Sequence, residues 1–482
     1  MRSYFSGRRV LLLAALVAGG ALLGCDSVKT ALLEAPDPDI LDPSLVNSAG
    51  GANAVRLGAL AQLRLMTSGS GNAGTEGTWL MGGLLADEWS TSSTFVQNDE
   101  TDERSISLSN SSVTGSLRAI YRTITAASQS IILLNKYKPT PVSDIGEMYF
   151  ARGFAQLQLA LDFCNGIPLG NVQGDQVTLG TQLLTDAQVL DSAVASFQSA
   201  ITTTTGTDAA SVAIVTAAKI GQARADIALG KFPEAAALVA GIQTTYTYTV
   251  TSSLTGGSNG VWNQAASQRR YTVGDSMEGN AHDHFVKNAI PFGTAKDPRL
   301  PVAYTISGGK DTTKSQDGIT FSRTTALYGQ TSSMAVVNGI DARLIEAEAS
   351  LKASAGADAS GMLTILNALR TTPIQLVAPS PTSSGTHPGL TTPVMTTLTD
   401  PGTPDSRLDL LFREKAFWTF SRGQRLGDMR RLIRQYGRTA DNVFPVGDHY
   451  RGGTYGGDVN LPITTAEKNG NPNFSQCTDR NP

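Results

Sequence analysis

From residue 112 to residue 228, apolar side chains return at helical spacing in four long stretches, and this period commits the chain to a mainly helical body. Residues 112–136 place Leu117, Ile120, Tyr121, Ile124, Ala127 and Ile131 on one face. Residues 143–163 do the same with Ile145, Met148, Phe150, Phe154, Leu157 and Leu161. Residues 185–202 and 208–228 supply the third and fourth. An earlier helix is expected over 44–67, and a short apolar run spans Thr78 to Trp89, closing in Asp87-Glu88-Trp89. Helix returns over 338–353, 358–370 and 407–434, the last interrupted near Ser421-Arg422-Gly423. Hydrophobic residues make up 40% of the chain and charged ones 16%, enough apolar material to close a core around such helices.

The chain from Ala223 to Ala235 carries a helical-repeat pattern. Small residues at Ala223 and Ala225 let two helices approach, Gly230 turns the chain, and Phe232 plugs the gap at the spacing of a tetratricopeptide unit. Any helical hairpin needs small residues at its crossing, so one such unit is weak evidence alone. Residues 243–337 differ: they are rich in Thr, Ser and Gly, with short alternating runs such as Thr245 to Val250. They read as an irregular, loop-rich insertion.

The N-terminus sets the compartment. Arg2, Arg8 and Arg9 precede an apolar stretch from Val10 to Leu23, too short for a membrane span of ~20 residues. The stretch ends Leu22-Leu23-Gly24-Cys25, a bacterial lipobox in which Cys25 is acylated and becomes the first residue. Residues 1–24 are then a lipoprotein signal peptide, and 25–43 a lipidated N-terminus and tether. Several acyl chains on one cysteine hold a soluble body firmly to a membrane face. Cys164 and Cys477 remain, and in an oxidising envelope they either pair or stay as buried free thiols.

Charge and motifs exclude several functions. With 38 basic and 41 acidic residues and no long basic run, the chain lacks the clustered cations that nucleic acid requires. Glycine-rich phosphate loops in a strand-to-helix setting, nucleophile elbows and metalloprotease helices are absent from the sequence. His282 and His284 are expected as solvated loop histidines, so no metal and no cofactor are expected. Asp87-Glu88 is an acidic pair that a surface glycoside hydrolase could use, since that chemistry needs two carboxylates ~5–9.5 Å apart. Adjacent residues rarely present both side chains to one cleft, so a solvated or capping pair is expected instead. Glu346 and Glu348, and the arginines from Arg407 to Arg438, are expected to form ion pairs between helices.

Aromatic residues supply the candidate ligand site. Trp79, Trp262, Tyr271 and Tyr328 lie in or beside Gly/Ser/Thr/Asn-rich sequence, where a core is not expected. Trp262 and Tyr271, with Asn263 and Arg270 beside them, would make an exposed platform that stacks on a sugar ring while polar neighbours bond its hydroxyls. The alternative is that these rings staple loops to the body. Trp418, mid-helix among Phe412, Phe417 and Phe420, reads as packing.

Taken in order, these stretches resemble the SusD/RagB family of surface nutrient-binding lipoproteins. The matching segments are the lipobox followed by Leu33 to Ile40, the acidic pair Asp87-Glu88, Leu117 to Ile124, Ala151 to Leu169, Asp297 to Leu300, Ile340 to Leu351, Phe412 to Arg431, and Leu461 to Ile463. Phe163-Cys164-Asn165-Gly166 departs from the Tyr-Gly-x-x-Pro ending that the family shows there. The resemblance implies a mainly α fold, SusD-like: a right-handed helical body with four tetratricopeptide-like hairpins plus a loop-rich insertion. The helical part would run over 44–242, the variable region with the ligand site over 243–337, and the C-terminal helices, loops and closing tail over 338–482. It also implies a non-enzymatic protein, anchored at the cell outer membrane and surface-exposed, with a SusC-like TonB-dependent transporter as partner and an oligosaccharide or peptide as ligand. A protein-binding helical scaffold without a small ligand is the remaining alternative. The family's ligand residues share no motif, so none is carried over.

Overall fold

The computed structural model describes residues 46–69, 76–173, 176–279, 283–303 and 323–482, with parts of 306–320. The expected signal peptide, Cys25, the expected tether and His282 lie outside them. Residues Pro43–Pro482 form one compact unit.

Several of the helices begin where the sequence supplies a side-chain cap. Helix α1 (Ala49–Ser68) starts at Ser48, whose Oγ accepts from Gly51 N at 3.1 Å. Helix α2 (Thr78–Leu85) is buried along its whole length, and α3 (Val96–Asp102) is short. Helix α4 (Ser111–Tyr137) is capped by Asn110, and α5 (Val142–Asp162) follows Pro141. Helix α6 (Asp186–Thr203) opens with a capping box between Thr185 and Gln188, and α7 (Ala209–Ala228) with Asp208. Helix α8 (Phe232–Val239) carries a proline in its first turn. Helix α9 (Gly339–Ala353) has a second capping box, from Asn338 and Asp341. Helices α10 (Ser360–Thr371), α11 (Pro404–Trp418), α12 (Arg425–Tyr436) and α13 (Thr465–Gly470) complete the set. Helix α12 stops at Gly437, which is left-handed at φ 69°.

Four helix pairs make the body: α1 with α4, α5 with α6, α7 with α8, and α9 with α10. Each pair also packs on the next, through α4–α5, α6–α7 and α8–α9. Phe197 of α6 sits where α5 and α7 converge. A Cβ on Gly153 would lie 3.0 Å from its ring, and one on Gly221 2.5 Å from it. The fold is therefore mainly α, as the helical period requires. Among the described residues no helix is long and apolar enough to cross a membrane.

The strands are short and come in pairs. Strand β1 (Trp89–Thr91) pairs antiparallel with β3 (Tyr271–Val273), in the register Trp89 with Val273, Ser90 with Thr272 and Thr91 with Tyr271. Strand β2 (Thr247–Val250) pairs with β4 (Met334–Asn338), so the ends of the loop-rich region meet.

Interior ion pairs tie the later helices to the body. Glu348 of α9 receives Lys415 at 2.7 Å, Arg431 at 2.6 and 3.0 Å, and the Tyr436 hydroxyl at 2.7 Å. Asp341 takes a bidentate Arg422, and Arg430 reaches Asp186 at 2.6 Å. Glu346 departs from expectation: its partner is Arg343, one turn back on the same helix, because its side chain faces outward. Trp418 is buried with Phe412, Leu411 and Leu344. Cys164 and Cys477 form a disulfide with Cα atoms 6.0 Å apart, fastening the C-terminal tail to the end of α5.

Candidate functional site

Pairing of β1 with β3 brings two distant segments to one rim. Ser92 N donates to Arg270 O at 3.0 Å, and Ser92 Oγ to Arg269 O at 2.9 Å. Gln316 joins them: its N donates to Arg269 O at 3.1 Å, and its Oε1 accepts from Thr94 N and Oγ1 at 2.9 and 3.1 Å. Arg269 stands at φ 57°, a left-handed turn that swings its side chain outward, where Nη1 donates to Lys314 O. At the top lies Phe95, 40% exposed, with the Arg270 guanidinium 4.3 Å from its ring centre. An exposed ring beside arginine, glutamine and threonine is the equipment for stacking on a sugar and bonding its hydroxyls.

The predicted residues divide between this rim and the core beneath it. Arg270 is on the rim. Tyr271, one residue on, is wholly buried, because β3 is covered along its whole length. There it meets Trp89 edge-on at 6.3 Å, and its hydroxyl points to Met81 Sδ at 3.5 Å. Trp79 is likewise fully buried, since α2 is apolar on every side, and its Nε1 donates to Gln158 Oε1 at 3.4 Å. Tyr328 is 7% exposed and joins the same core. Trp262 is half-buried against that core, and Asn263 is buried within a single π-helical turn. The expected Trp262–Tyr271 platform does not form. Rings flanked by Ser, Gly and Asn are buried by elements distant in sequence.

Asp87 and Glu88 are neither solvated nor at a cleft mouth: they are 2% and 1% exposed. Burial pushes Glu88 up to about 8, against the opposing charge of Arg425. Burial and the nearby Glu278 push Asp87 well above the carboxylate range. Glu278 itself is raised to about 7 by burial and by Asp102, with Arg323 opposing, and it accepts from Ser90 Oγ. His449 Nε2 lies 3.2 Å from Asp102 Oδ2. These acids form an interior polar layer behind β1: Arg323 reaches Glu278 at 3.5 Å, His449 faces Asp102, and Arg425 donates through Nε to Ala86 O at 2.7 Å. His284 is partly exposed, 3.7 Å from Asp283. Among the described residues no three His, Cys, Asp or Glu side chains gather to hold a metal.

Sequence reading missed Phe95, although a signal was present. Thr91 to Thr94 is a Ser/Thr run, and the criterion that selected Trp262 selects Phe95 equally well.

No family model matches the chain, and no curated protein matches it. Solved structures do. A SusD-like carbohydrate-binding protein from Bacteroides fragilis NCTC 9343 superposes with a TM-score of 0.60 at 15% identity, covering 89% of this chain and 99% of that one. Surface glycan-binding protein A from Bacteroides uniformis gives 0.59 at 14% identity, with the same coverage. A laminarin-binding SusD-like protein gives 0.55 at 16% identity, over 90% of this chain and 99% of that one. At such identities the likeness is one of architecture, and it agrees with the paired helices and loop-rich insertion above: the chain has the SusD-like fold.

Proposed function

We propose that this chain is a non-enzymatic SusD/RagB-type lipoprotein, anchored through Cys25 at the outer-membrane surface. It binds an oligosaccharide at the Phe95–Arg270 rim and delivers it to a TonB-dependent transporter. The observation that carries the binding reading is the exposed Phe95 ring under the Arg270 guanidinium, ringed by Thr94, Gln316 and Arg269. The fold supports it, since similarly built proteins are named for binding carbohydrate, glycan or laminarin. The lipobox at Leu22 to Cys25 supports the anchor. The hydrolase reading loses its footing, because Asp87 and Glu88 are enclosed where no saccharide reaches them.

The test is affinity electrophoresis of the full chain through a panel of polysaccharides that includes laminarin, followed by calorimetry on the best one. Phe95→Ala should weaken binding about tenfold, the equivalent of ~1.4 kcal/mol. Its melting temperature should hold, because the ring is already 40% exposed. Unchanged affinity in this variant would move the site elsewhere, and reducing ends released by the purified protein would restore the hydrolase reading.

A further inference from the structure

A second concavity lies on different elements. Helices α4 and α6 both flank α5, and the strands Asn171–Gln173 and Gln176–Thr178 close over one end. The groove left between them is about 440 Å³, inside the ~300–1,000 Å³ range of small-molecule sites. It stays open because α6 faces it with Ser192, Ser196 and Ser199, whose spacing of three and four keeps them on one side of the helix. The helical period of α4 assigns Tyr121 to a packed apolar face, yet its ring lines this groove.

Three polar groups here keep hydrogen-bonding capacity that the described residues do not use, and one of them is fully enclosed. The Tyr121 hydroxyl is buried with no hydrogen-bond partner among the described residues. Gln156 is 7% exposed; its Oε1 accepts from Ser196 Oγ at 2.8 Å, while its Nε2 makes no hydrogen bond among the described residues. Arg152 donates through Nε to Ser196 Oγ at 3.1 Å and stacks over Tyr149 at 5.0 Å. Its Nη edge has no hydrogen bond and its charge no ion pair among the described residues. A guanidinium on the groove wall with its Nη edge free is a ready partner for an anion entering the groove. Among the described residues no carboxylate lines the groove, so a zwitterion finds no partner there for its ammonium. The remaining lining, Asn171 and the serine hydroxyls beside Val172 and Leu169, suits a ring with polar edges and apolar faces.

We propose that this groove binds the uronosyl unit of an acidic saccharide. Arg152 takes the carboxylate, and Gln156 and Tyr121 take ring hydroxyls. The site is separate from the Phe95 rim, so either reading can fail while the other stands.

The experiment titrates the full chain with digalacturonate, and in parallel with galactobiose and galactose 6-sulfate, by ligand-observed NMR and calorimetry. Digalacturonate should bind at least about tenfold more tightly than either comparator, with affinity falling as salt is raised. Arg152→Gln should remove that preference. Ser199→Phe, which fills the groove without touching the guanidinium, should abolish binding, and Phe95→Ala should leave it unchanged. The proposal is overturned if wild-type protein binds no digalacturonate, if galactobiose or the sulfated sugar binds as well, or if digalacturonate binding survives both groove variants.

Discussion

Glu88 shows how a single side chain couples the interior to pH. Its carboxyl ionises near 4.5 when solvated and at about 8 in the folded chain, with burial as the main cause. Asp162 and Glu278 follow, each raised to about 7 by burial. Between the two values the folded state keeps protons that the unfolded state has shed. Stability from these groups is therefore full below about pH 4.5, falls as pH rises, and levels off above about pH 8. Glu348 behaves oppositely: although burial opposes it, Arg431 and Lys415 hold its carboxyl far below the ordinary range, so its contribution is full above about pH 4.5 and is lost progressively in acid. The expected outcome is a melting temperature that declines from pH 5 to pH 8. Glu88→Gln, which removes the proton but keeps the shape, should shrink that decline by ~2–4 °C in scanning calorimetry. An unchanged slope would place the pH dependence in other groups.

At the scale of elements, two helical glycines make a matched pair. Gly58 in α1 is exposed, and a Cβ there meets nothing within 4 Å. Gly221 in α7 would push a Cβ to 2.5 Å from the Phe197 ring. Alanine gains ~1 kcal/mol over glycine in a helix interior. Gly58→Ala should therefore raise unfolding free energy by up to ~1 kcal/mol. Gly221→Ala should lower it by ~1–3 kcal/mol, because overpacking between α6 and α7 outweighs the propensity gain. Urea denaturation of both variants reads the difference, and a stabilised Gly221→Ala would mean that Phe197 moves freely. The helices themselves were legible because their caps and periods are local. The pairing of β1 with β3 was not: Trp89 and Val273 meet with α3 to α8 lying between them in the chain, and neither run is long enough to announce a strand.

For the molecule as a whole, the Cys164–Cys477 bond closes a sequence separation of 313 residues. The tail it fastens also pairs with the end of α5 through its backbone, Cys164 N to Leu461 O at 3.0 Å and Thr478 N to Asn165 O at 3.0 Å. Restricting so long a loop in the unfolded chain stabilises a fold by ~2–5 kcal/mol. Cys477→Ser should lower the melting temperature by several degrees, and wild-type protein in reductant should fall to the same value. A variant that melts with the oxidised wild type would show that the tail docks without the bond. What the amino-acid order determined alone is whatever depends on neighbours a few residues away: helical stretches, caps and turns. Tertiary structure decided which aromatics face water. Tyr271 and Phe95 both follow Ser/Thr- or Arg-rich sequence, yet one is wholly buried and the other 40% exposed. Burial is a property of what packs against a side chain, and for Tyr271 that is Trp89 and Met81, some 190 residues back along the chain.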